Sequence, residues 1–307
     1  MPPASGAVVM GTGIVALGLR LDHQALLSHL VLALAGAVWC VLGAVLLLRV
    51  LTGREGLQAE AHSPAALTGV AGSAVLGTAL TLIGWIWAGG ALLALSTGLW
   101  LILIGPVTGH WTTPTVGVSF MVTVATESLA VLAATVAATS GSTWLLGAAV
   151  VPWALGLAAY LLVLSRFDLG QLTSGRGDHW VSGGALAISA LASGRLTLAA
   201  AAAGWPHQLV RDLAVVALGV WVAAMAWLPA LLLAEAVRPR LAYDLRRWAT
   251  VFPVGMYAAC SFIVGQAAGL AVLERFAGVW VWVGVLVWLL VLVPTLQRAL
   301  SSVRALF

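Results

Sequence analysis

The chain has 307 residues, 62% of them apolar and only 8% charged, with a formal net charge of +4. A soluble domain carries about a quarter charged residues, so this sequence lacks the material for a water-facing surface. A soluble enzyme, a nucleic-acid-binding protein and a disordered chain are excluded together. All 14 basic residues are arginine, a bias that fits GC-rich codon usage rather than a nucleic-acid partner. Cys40 and Cys260 both lie inside apolar runs and read as small buried hydrophobes.

A membrane helix needs about 20 apolar residues, and ten such stretches follow one another at about 5–21, 25–48, 65–84, 88–106, 115–138, 143–165, 180–203, 213–235, 249–271 and 277–297. The first lacks the basic flank of a cleavable signal and is expected to stay as a span. The third and fourth are divided only by Trp85, Ile86 and Trp87, the softest of the boundaries. Links from odd to even stretches are short, whereas the long polar links, 52–64, 166–179 and 236–248, run from even to odd. The chain therefore reads as five hairpins. Pro106, Pro152, Pro229 and Pro294 recur in four of the even stretches and hint at a repeated hairpin unit.

Orientation follows from arginine, which cytoplasmic loops retain. With both termini cytoplasmic, Arg49, Arg54, Arg166, Arg176, Arg238, Arg240, Arg246, Arg247, Arg298 and Arg304 fall inside, and only Arg20, Arg211 and Arg275 fall outside. This predicts a multi-pass plasma-membrane protein in which every odd helix runs outward.

Polar residues inside the spans are the candidates for function. In the fifth helix Ser119, Thr123 and Glu127 share one face at i, i+4, i+8. In the seventh, Ser182, Ser189, Ser193 and Thr197 form a second stripe. The tenth is almost entirely valine, tryptophan and leucine, as a lipid-facing helix should be. Two readings of the stripes stand: odd helices surrounding a central path, or hydroxyls gluing neighbouring helices. Glu127 and Arg195 lie at similar depths, ~18 and ~22 Å from their helix starts. They either pair with each other or handle ions separately. Arg195 is turned about 200° from Ser193, off the hydroxyl stripe.

Catalytic patterns mostly fail. The six histidines sit near helix ends, against haem ligation in the bilayer core. Gly11, Gly13 and Ala16 fit a dinucleotide-binding pattern with no βαβ unit around them. Gly265 and Gly269 make one GxxxG packing step. A polytopic membrane enzyme stays as a third, lesser reading, for which the chain offers only the sparse loop around Asp168, Arg176, Asp178 and His179.

Three strings carry a resemblance: PASGAVVMGTGIV from Pro3 to Val15, GDHWVSGGALAIS from Gly177 to Ser189, and WATVFPVGMY from Trp248 to Tyr257. They resemble the tellurite-resistance/dicarboxylate transporter family, which includes bacterial tellurite-resistance channels, fungal malate permeases and plant slow-type anion channels. The resemblance implies an all-α membrane protein of ten helices, five hairpins in quasi-fivefold arrangement around a central pore, and a homotrimer with one pore per chain. It also implies a gating phenylalanine in the ninth helix, which maps to Phe252, with Phe262 as runner-up.

The expectation is a single transmembrane domain over 1–307 that carries small anions, monovalent or C4-dicarboxylate such as malate or succinate, without cofactor or metal and without enzyme activity. A proton-coupled dicarboxylate exporter using Glu127 is the alternative. Pore-lining or ion-handling candidates are Gly11, Thr12, Gly13, Ser119, Thr123, Glu127, Ser189, Ser193, Arg195 and Gly255. The tellurite of the family's name is not read as the substrate.

Overall fold

The computed structural model describes residues 3–53, 56–174, 177–239 and 244–304. Arg54, Arg176 and Arg240 of the topology argument lie outside the described residues, as does the side chain of Arg304. Among the described residues ten long helices form: α1 Gly6–Leu21, α2 Ala25–Thr52, α3 Thr68–Leu82, α4 Ile86–Gly109, α5 Met121–Ser140, α6 Thr143–Leu164, α7 Trp180–Ala202, α8 His207–Val237, α9 Trp248–Ala268 and α10 Ala271–Arg304. No strand occurs among the described residues, because in lipid each helix satisfies its own backbone donors and acceptors.

Boundaries fall close to the apolar limits of the sequence, with informative exceptions. The break after α3 is a turn at Gly84, whose φ of +96° suits glycine, and α4 resumes at Ile86. α8 begins six residues before the expected 213 because polar Gln208, Arg211 and Asp212 bond one another along the helix, Gln208 to Asp212 at 2.8 Å and Arg211 to Gln208 at 2.8 Å. Hydropathy alone ends a span where its charges begin, but a helix continues past that point. Pro106, Pro152, Pro229 and Pro294 all sit inside their helices.

The five odd-numbered helices close into a ring: α1 packs on α3, α3 on α5, α5 on α7, α7 on α9 and α9 back on α1. Each even-numbered helix packs on its own hairpin partner and on the next helix of the ring. Burial follows this order, since 72–100% of the four longer inner spans is buried, against 17–28% of the five outer ones. Val279, Leu286 and Leu290 of α10 are among the exposed large apolar residues of the outer layer.

One polar contact repeats around the ring. An indole N–H from each outer helix donates to a hydroxyl on the next inner helix: Trp39 to Ser73 at 2.8 Å, Trp100 to Thr126 at 2.9 Å, Trp153 to Ser193 at 2.8 Å, Trp221 to Ser261 at 2.8 Å and Trp288 to Thr12 at 3.2 Å. The fifth bond joins the last helix to the first. Since such interhelical bonds are worth ~0.6 kcal/mol on average, the set contributes about 3 kcal/mol and fixes which hairpin follows which.

Trp153→Phe removes one of these bonds and is expected to lower the thermal midpoint in detergent by about 1–2 °C, whereas Trp144→Phe, at a residue 75% exposed to lipid, leaves it unchanged. Equal effects of the two substitutions would contradict a structural role for the tie.

Candidate functional site

The ring leaves a throat on its axis. Its wall is Ile14 and Leu17 of α1, Val75 and Thr78 of α3, Ser128 and Val131 of α5, Ile188 and Leu191 of α7, and Met256 of α9. All five inner helices contribute. The cavity among them is about 10 Å³, room for roughly one water, so the inner helices meet closely here. Thr78 and Ser128 give their protons to their own helices, at Ala74 O (2.9 Å) and Val124 O (2.6 Å). The wall is thus apolar in character.

Helical spacing extends the wall in both directions. Phe252 lies four residues before Met256 and so on the same face of α9, about 6 Å nearer the Arg-rich end; it is 2% exposed. Arg195 lies four residues after Leu191 and seven after Ile188, so it continues the axial face of α7 on the opposite side of the throat. Arg195 Nε and one terminal nitrogen are buried without a hydrogen-bond partner. An unspent guanidinium beside an apolar throat is a donor set for an anion.

The other polar candidates face elsewhere. Thr12 and Ser193 receive the tryptophan N–H groups of α10 and α6, so both bind outer helices and not the axis. Glu127 turns towards α6, where a Cβ on Gly156 would stand 2.5 Å from Glu127 Cγ. Ser189 of α7 lies beside that carboxyl, but its hydroxyl donates to Ala185 O at 3.0 Å. Both carboxyl oxygens of Glu127 are left without a partner. Glu127 and Arg195 do not pair: Arg195 is six residues, about 9 Å, beyond Ser189 along α7. Thr123 shares the Glu127 face and its buried hydroxyl oxygen is unpartnered. Ser119 sits in the turn before α5, accepting from Val116 N at 3.2 Å.

The candidate glycines of α1 and α9 stand where inner helices pack closely. A Cβ on Gly11 would meet the Trp248 ring at 2.9 Å, one on Gly13 would meet Val75 at 2.9 Å, and one on Gly255 would meet Ile14 at 2.7 Å. These residues set how closely inner helices approach. Phe262 clusters with Ala258 and with Ala277 and Val281 of α10, which turns it to the outer layer. Sequence reasoning missed the apolar wall itself, since Ile, Leu and Val in a membrane helix carry no signal of which way they face.

The class of protein is therefore an all-α polytopic membrane protein built on a closed five-helix ring with an axial throat. A family model described as voltage-dependent anion channel matches residues 1–296, and the chain belongs to that family. Over 132 residues it is 31% identical to an uncharacterized membrane protein of Mycobacterium tuberculosis, found in two strains; the match covers 41% of this chain and 66% of the relative. The chain thus spans just under two thirds of those relatives' length.

Gly156→Ala is expected to cost about 1–3 kcal/mol by overpacking, lowering the thermal midpoint, and Glu127→Ala in the same chain should restore most of the loss. Failure of the second substitution to rescue would contradict the placement of Glu127 against α6.

Proposed function

We propose that the chain, acting over 1–307 as one domain, carries small anions through the axial throat, monovalent anions or C4-dicarboxylates such as malate or succinate. Phe252 gates the throat from the Arg-rich end, and Arg195 offers the passing anion its charge beyond the constriction. The reading is carried by one observation: the wall contributed by all five inner helices has, on its continued face, an arginine whose buried donors are unspent. Membership of a family described as anion channels supports the sign of the cargo. Arginine placement supports cytoplasmic termini in a plasma or inner membrane, with Arg49, Arg166, Arg238, Arg246, Arg247 and Arg298 at one end and Arg20, Arg211 and Arg275 at the other. The basic end draws anions to its mouth. A homotrimer with one throat per chain completes the reading and rests on the family resemblance.

Proton-coupled dicarboxylate export is the second reading, favoured by the buried and unpartnered carboxyl of Glu127. An ionised carboxylate without a partner in an apolar interior is far costlier than the neutral acid, so a proton is the natural ligand of that group. Its position away from the throat wall weighs for the channel.

In planar bilayers Phe252→Ala is expected to raise anion current at least about tenfold, equivalent to ~1.4 kcal/mol taken from a barrier; unchanged current would reject the gate. In the same background Arg195→Gln should move the reversal potential in a chloride gradient towards zero. Glu127→Gln separates the two readings: unaltered flux and pH response fit the channel, and loss of pH-driven succinate uptake fits coupled transport.

A further inference from the structure

Around most of the ring the outer helices seal the seams between inner ones, but α2 meets α3 more sparsely than any other outer helix meets its second inner neighbour. A groove of about 630 Å³ opens there between α2, α3 and α4, a volume within the range of small-molecule sites. It lies apart from the throat and shares no wall residue with it. Along α2 its wall runs from Trp39 to Val50, eleven residues and so about 16 Å, the depth of one leaflet of a ~30 Å hydrocarbon core. Gly43 and Gly69 line it, and a Cβ on either would meet nothing within 4 Å. Leu46, Leu47, Leu95 and Ile102 on its walls are exposed, so the groove opens sideways towards lipid.

The polar atoms within the groove are already satisfied. Trp39 donates to Ser73 at 2.8 Å, and Ser73 donates to Gly69 O at 2.8 Å. Charge occurs at the end nearer the Arg-rich surface, where Arg49 and Glu60 join by two bonds of 2.9 Å. That pair uses two of the five guanidinium N–H donors, leaving three for a phosphate. The Arg49 guanidinium also holds the Glu60 carboxyl below its ordinary value, so the pair persists at neutral pH.

We propose that this groove holds one acyl chain of a phospholipid from the Arg-rich leaflet, with the phosphate beside Arg49. Length, apolar lining, lateral opening and the spare guanidinium donors of Arg49 at headgroup depth agree on that occupant. In the bilayer the acyl chain exchanges one apolar environment for another, so its close packing along the groove walls and the phosphate's bonds to Arg49 favour this site, and the phosphate sets which end of the groove it enters.

The test is native mass spectrometry of the purified full chain with added palmitoyl-oleoyl phosphatidylglycerol, beside photolabelling by a phospholipid carrying a diazirine midway along its acyl chain. One lipid per chain is expected to survive detergent removal, and Gly69→Leu or Gly43→Leu, which fill the groove without a Cβ clash, should cut its occupancy at least tenfold. Photolabel should concentrate between residues 39–50 and 95–103 of the wild-type chain, which needs no variant to fold. Undiminished binding in both glycine variants, or label spread evenly over the exposed faces of α8 and α10, would overturn the site. Loss of an oligomer in Gly69→Leu with no change in bound lipid would assign the groove to a second copy of the chain instead.

Discussion

Five hydrogen bonds from tryptophan to hydroxyl hold the hairpins in order, and the remainder of the architecture depends on them. In hydrocarbon, apolar burial does not favour one helix neighbour over another, because lipid tails are as apolar as leucine. Order must come from packing shape and from the few polar groups that need partners. An unbonded indole N–H or serine hydroxyl in that medium costs several kcal/mol. Placing the donor on each outer helix and the acceptor on the next inner helix makes every hairpin recognise its successor. The bond from Trp288 to Thr12 closes the circle between the ends of the chain.

Closing the circle determines what the axis can be. The hydroxyls consumed by the ties face outward, so the inward faces of the same helices are left mostly to isoleucine, leucine, valine and methionine, with Thr78 and Ser128 bonded back to their own helices. A narrow apolar throat follows from this division. Arg195 stands out against it because it continues the inward face of α7 while Ser193, two residues earlier, faces the outer layer. Glu127 occupies a third kind of position, inside the bundle but between α5 and α6, in space that Gly156 leaves open. One helix ring therefore separates three environments: a tied outer seam, an apolar axis, and a sealed carboxyl.

Much of the fold was legible in the sequence because the bilayer demands a fixed length of apolar residues. The ten spans and five hairpins followed from that demand and from loop lengths. The ends of α8 and α10 did not, since their polar turns remain helical beyond the hydrocarbon. The recurrent prolines pointed to the right repeating unit through the wrong residue; the repeated contact is made by Trp39, Trp100, Trp153, Trp221 and Trp288. The polar stripes were real faces, but spacing reports only that residues share a face, never which neighbour it meets. In α7 the stripe with Ser193 meets an outer helix, and Arg195, set apart from it by about 200°, lies on the axial side. Phe252 and Phe262 were likewise separable only once the wall at Met256 was known.

Passage of anions along the axis, past this wall, is tested most directly by cysteine accessibility at two opposite faces of α5. In Phe252→Ala chains with Cys40 and Cys260 replaced by alanine, a small thiosulfonate reagent is applied during anion current to Ser128→Cys and, separately, to Thr126→Cys. Rapid loss of current at position 128, with none at 126, is the predicted result. Block at 126 and indifference at 128 would place the path outside the five-helix ring and contradict the account.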